Sequence, residues 1–129
     1  MTRSSWLTIA AIFYTIFGLG LLIAPAPFMD VYGVVLDDAG QLMARILGSA
    51  LLSLACMFWL YRAYPPEAVR PVMLTSFLYN CVDFVVVLSA VLAGTMNSLG
   101  WGPVALHLFL AAGFGYFTFA AGMRAARAG

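Results

Sequence analysis

The chain has 129 residues, 64% of them hydrophobic and only 9% charged. Soluble domains are about 45–50% apolar and about 25% charged, so this composition cannot cover a water-facing surface and points to an integral membrane protein. A net charge of +1 excludes an electrostatic nucleic-acid binder.

Four apolar stretches approach the roughly 20 residues of a membrane-spanning helix. They are Trp6–Ala24, Gln41–Leu60, Pro71–Ala93 and Trp101–Met123. They predict spans over 6–24, 41–62, 69–93 and 101–123, joined by short connections into one domain, 1–129. The predicted fold class is all-α: a four-transmembrane-helix up-down bundle, with a short interfacial helix between helices 1 and 2.

The first stretch has the outline of a signal peptide: Arg3, an apolar run, then Ala24-Pro25-Ala26. Its run of about 19 residues exceeds the roughly 7–15 of a signal-peptide core, so it is read as a retained span. The first connection begins with Pro25 and Pro27 and stops at Gly33, the asymmetry of a short helix. That helix is placed over Pro27–Tyr32, with Phe28, Met29 and Tyr32 on one apolar face, as an interfacial anchor or a lid. Asp38 then suits an N-cap, with Gln41 as its capping-box partner.

The second stretch carries Arg45, a full charge inside a span. The second connection, Tyr64-Pro65-Pro66-Glu67, ends one helix and begins the next. The third, from Gly94 to Pro103, is uncharged and reads as flexible. Trp101 on one side, and Trp59, Tyr61 and Tyr64 on the other, fit aromatic belts.

All six basic residues are arginine, and with many alanines this hints at a GC-rich bacterial genome. Arg3, Arg62, Arg70, Arg124 and Arg127 fall on one side of the predicted bundle, whereas Asp30, Asp37 and Asp38 fall on the other. The positive-inside rule therefore places both termini in the cytoplasm. Cys56 and Cys81 lie in different spans without a Cys-x-x-Cys motif, so they read as small buried hydrophobes. No metal site and no cofactor is indicated.

A charge inside a span costs about 2.5–3.5 kcal/mol on insertion scales and needs a partner or a watery cavity. The other strongly polar side chains in the spans are Asp83, Asn80 and His107. At 1.5 Å per helical residue, Arg45 and His107 stand about 26–27 Å above the inner boundary, Asp83 about 20 Å and Asn80 about 15 Å. The expected arrangement is a buried Arg45–Asp83 ion pair in the outer half, with His107, Asn80 and Tyr79 in the same network. Helical spacing groups Arg45 with Gly48, Ser49, Leu52 and Cys56. Asp83 falls with Ser76, Asn80, Val87 and Ala90; His107 with Ala111, Gly115, Thr118 and Gly122. On the first helix Thr8, Ala11, Thr15 and Gly18 form a similar row. Such small or polar stripes permit close helix approach in lipid.

Three stretches carry a resemblance: Ala24-Pro25-x-x-Phe28-Met29-x-x-Tyr32-Gly33, Arg45-x-x-Gly48 and Asn97-x-x-Gly100-Trp101. They resemble a group of small bacterial four-helix membrane proteins of unknown function, similar in layout to DoxX-like proteins. The resemblance implies a four-helix inner-membrane protein with Arg45 as a shared feature, and no activity. Small multidrug transporters fit less well, because the first helix lacks an acidic residue. Vitamin-K-epoxide-reductase-like enzymes need Cys-x-x-Cys, and claudin-like proteins a larger first loop with a cysteine pair.

The leading functional reading is a non-enzymatic accessory or small-ligand-binding membrane component, surrounded by lipid and partnered by a larger membrane complex or by copies of itself. The alternative is a proton-coupled small-molecule transporter or channel working as an oligomer, with Asp83 and His107 exchanging protons. A third is an enzyme acting on a lipid or quinone with His107 as acid–base.

Overall fold

A computed structural model describes residues 1–120, and these are helical with no strand among them. The helices are α1 (Arg3–Ile23), α2 (Pro25–Asp30), α3 (Asp38–Tyr61), α4 (Pro66–Leu92) and α5 (Trp101–Gly115). A 3-10 turn, Ser98–Gly100, leads into α5, and a π-helical turn, Tyr116–Ala120, continues it. Among the described residues four helices are long and apolar enough to cross a membrane: α1, α3, α4 and the combined Ser98–Phe119. The expected span end at Met123, Gly122 and the arginines Arg124 and Arg127 lie outside the described residues.

Local chemistry sets the boundaries. Thr2 caps α1, its hydroxyl accepting from Ser5 N at 3.1 Å. α3 begins at Asp38 rather than Gln41, and its cap is Asp37, whose carboxylate accepts from Gly40 N at 2.7 Å. Asp38 instead occupies the first turn, where its charge faces the positive end of the helix. α4 starts at Pro66, so Pro71 sits inside it. Its missing N–H falls opposite the carbonyl of exposed Glu67, near the helix end where water can serve that oxygen. α2 runs over Pro25–Asp30 and then turns through Gly33, whose φ of +77° lies in the region glycine adopts without penalty.

The helices pack as two pairs, α1 along α3 and α4 along α5, and backbones of different pairs rarely come close. The first pair is joined through glycine. A Cβ added at Gly48 would lie 2.7 Å from both Gly18 O and Leu22 N. Only a side chain of hydrogen lets the two backbones meet there. Between the pairs, large rings fill the space instead. Trp6 meets Phe109 and Phe114 edge-on, Tyr14 meets Tyr79, and Phe58 meets Phe114.

Around this core the helices expose branched apolar residues, such as Val82 and Val85, each 62% accessible. Faces of this kind suit lipid, which offers apolar contact without the cost of ordering water. Arg3 donates to Tyr64 O at 2.9 Å. The start of α1 and the α3–α4 connection therefore share one end of the bundle, and α2 lies at the other.

Candidate functional site

Asn80 is completely buried on α4 and organises the polar interior. Its Nδ2 donates to the backbone carbonyl of Ser76 at 2.8 Å and to the Tyr14 hydroxyl on α1 at 2.9 Å. A carbonyl only accepts, so that contact fixes which end of the Asn80 amide is nitrogen. The opposite end, Oδ1, lies 3.1 Å from His107 Nδ1 on α5. An amide oxygen also only accepts, so His107 Nδ1 carries the proton. In the neutral ring Nε2 is then a bare acceptor.

Nε2 faces the Asp83 carboxylate across 4.0 Å, beyond hydrogen-bond reach. Three helices are thus tied together by Tyr14, Asn80 and His107, and the network ends in two acceptors that do not satisfy each other. Few polar groups lie in the spans, so this end is where an additional hydrogen-bond donor would gain most.

That end opens on a cavity of about 260 Å³. Its polar wall is Tyr14, Tyr79, Asp83 and His107, and its other walls are apolar, including Phe13, Phe17, Leu51 and Leu110. Phe28, Met29 and Tyr32 line it from α2 and the turn that follows. Phe28 lies over Gly20, and its ring meets Phe17 edge-on at 5.5 Å between centroids.

The roof is fastened across the bundle. Asn97 N donates to Tyr32 O at 2.8 Å, and Asn97 Nδ2 donates to Val31 O at 3.0 Å. The Asn97 side chain also accepts from Leu99 N at 2.9 Å, capping the 3-10 turn. The third connection, expected to be flexible, is a hydrogen-bonded clasp.

The predicted site residues divide. Asp83, Tyr79 and His107 line one cavity, with Asn80 behind it. Arg45 does not join them. It is exposed on α3, and the ion contact found among the described residues is His107–Asp83. The expected buried Arg45–Asp83 pair, and with it a buried Arg–Asp–His cluster, is not formed. The reason is rotational. The buried positions of α3 are Gly48, Leu51, Ala55 and Phe58, a stripe about a third of a turn from the one through Arg45, Ser49, Leu52 and Cys56. Gly48 belongs to the buried stripe and Arg45 does not.

Two residues escape a reading based on charge. Tyr14 carries a hydroxyl in the middle of an apolar span, and a buried hydroxyl seeks a partner; that was its available signal. Asn97 has a cap-like position before Gly100, but its reach to Val31 and Tyr32 follows from the tertiary fold. No group of three or more metal-ligating side chains occurs among the described residues. Comparisons with protein-family models, curated proteins and solved structures return no match.

Proposed function

We propose that the chain is a small-ligand-binding component of a bacterial inner membrane, non-enzymatic, with both termini in the cytoplasm. The observation that carries this reading is the cavity of about 260 Å³ with apolar walls and one polar end. Ligand sites are concave and mostly apolar, with a few converging polar groups that fix orientation, and run from about 300 Å³ for drug-sized molecules. This cavity suits a somewhat smaller, mostly apolar molecule with a single polar group. Binding is favoured over catalysis because His107 Nδ1 is held by the neutral amide of Asn80, which adds little basicity to the ring. The topology rests on arginine placement, with Arg3 and the Arg62 connection at one end of the bundle.

The test is mass spectrometry of small molecules that co-purify from native membranes in mild detergent. Wild type should retain a compound at near-stoichiometric level, and Leu51→Phe, which fills the cavity, should lose it. Identical contents in both proteins would overturn the reading. The Asp83–His107 contact at 4.0 Å favours one second reading, proton-coupled transport by an oligomer. Uptake into proteoliposomes driven by a pH gradient, and lost in Asp83→Asn, would establish it.

A further inference from the structure

We infer that the cavity takes its ligand sideways from the bilayer, through the seam between α3 and α4, and that the ligand is a membrane-dissolved molecule with a hydrogen-bond-donating head, a hydroxyl or an amine. This deepens the ligand-binding reading above and rests on it.

The water-facing end is roofed. Phe28, Met29 and Tyr32 cover the cavity, and Asn97 binds Val31 and Tyr32 through both its backbone and its side chain. A ligand arriving from water would have to break these bonds or displace the rings beneath them.

The sides differ from one another. α1 with α3 and α4 with α5 form the close pairs, so openings fall between pairs. From α1 the cavity wall includes the half-buried rings of Phe13 and Phe17. α3 contributes Leu47 and Leu51 to the wall, and α4 contributes Val86 and Val87. Leu47 is 46% and Val86 56% accessible although both line the cavity. Side chains that touch the cavity and the outside together are the rim of an opening. This rim is wholly aliphatic and surrounded by lipid-facing surface, so what passes it comes from the membrane.

The head follows from the polar wall. His107 Nε2 and the Asp83 carboxylate stand 4.0 Å apart with no hydrogen bond between them. With the imidazole neutral, both accept. A hydroxyl or amine can donate to His107 Nε2, whereas an ether or ester head can only accept, from the Tyr14 or Tyr79 hydroxyl on the same wall.

The experiment uses the full chain in vesicles of phosphatidylcholine and phosphatidylglycerol. The probe is a medium-chain alcohol bearing a diazirine, with its methyl ether as control, and labelled residues are located by mass spectrometry. The alcohol should label Leu51 and Leu110 several-fold more than the ether does. In the double variant Leu47→Trp, Val86→Trp that labelling should fall several-fold. Ile12 and Ile16, exposed on α1, should label unchanged, reporting a folded and inserted protein. Val86→Phe alone repeats the test with a smaller change. Undiminished cavity labelling in the rim variants, with an increase in Asn97→Ala, would overturn the lateral route in favour of the water end. Equal labelling by alcohol and ether would overturn the head assignment. Lipid-face labelling with none in the cavity, for any probe, would instead overturn the ligand-binding reading itself.

Discussion

The two seams of α3 are built on opposite terms. Toward α1 it presents Gly48, and the backbones touch. Toward α4 it presents Leu47 and Leu51, and a cavity remains. In lipid, apolar side chains gain little by turning from solvent to protein, so helix association depends on contact quality. The glycine seam supplies that contact. The α3–α4 seam forgoes it, and the space is bounded by the polar side chains that the spans otherwise avoid. The difference separates what holds the bundle from what it can hold.

The sharpest break of this contrast is at Gly48. An added methyl meets backbone atoms of α1 at 2.7 Å, and backbone cannot rotate away as a side chain does. Overpacking costs about 1–3 kcal/mol. Gly48→Ala should sharply lower monodisperse yield in detergent, and Gly48→Leu should abolish it. Size-exclusion chromatography reads both, and a well-behaved Gly48→Leu would show that the two helices do not meet there.

The counterpart is Leu51→Phe on the cavity wall. Enlargement there enters space already present, so thermal unfolding should match wild type or rise slightly. A loss as large as that of Gly48→Ala would mean that the cavity collapses in solution and that the two seams are alike.

The spans were legible because each is a long apolar run, and the short helix after α1 because proline opens it and glycine closes it. Asn80, Asp83 and His107 were legible as a group, since helical spacing puts the first two on one face of α4 beside α5. The orientation of α3 was not. Its charge, Arg45, suggests an inward face, whereas Gly48, with no side chain to signal anything, marks the buried stripe. The cavity was not legible either, because its volume depends on how far two helix pairs stand apart. That separation is set by rings such as Trp6, Tyr14 and Phe58 packing across several helices at once.

Within the polar interior, the network predicts an order of effects. Asn80→Leu removes the partner of both Tyr14 and His107. Interhelical hydrogen bonds in membranes average about 0.6 kcal/mol and reach about 1.7. Asn80→Leu should therefore destabilise by roughly 1–2 kcal/mol, near the sum of two such bonds. Tyr14→Phe removes one acceptor and should cost less than half as much. Denaturant titration in mixed micelles measures both, and a larger effect for Tyr14→Phe would displace Asn80 from the centre of the network.

The smallest expected effect belongs to Arg45. Cβ atoms in a helix tilt toward its N-terminus, and α3 begins at the α2 end, so the Arg45 stem leads toward that membrane boundary. A long side chain can carry its charge to the headgroups this way, which removes the need for a buried acid. Arg45→Gln should change stability by no more than about 0.5 kcal/mol, as for other outward-facing substitutions. The decisive measurement is a double-mutant cycle with Asp83→Asn. Residues without contact or shared partners add within about 0.3–0.5 kcal/mol, and Arg45 and Asp83 share no ion contact here. Additivity is therefore expected. A coupling energy of ~1 kcal/mol or more would mean that the arginine swings into the bundle in the membrane, and that its charge belongs to the cavity after all.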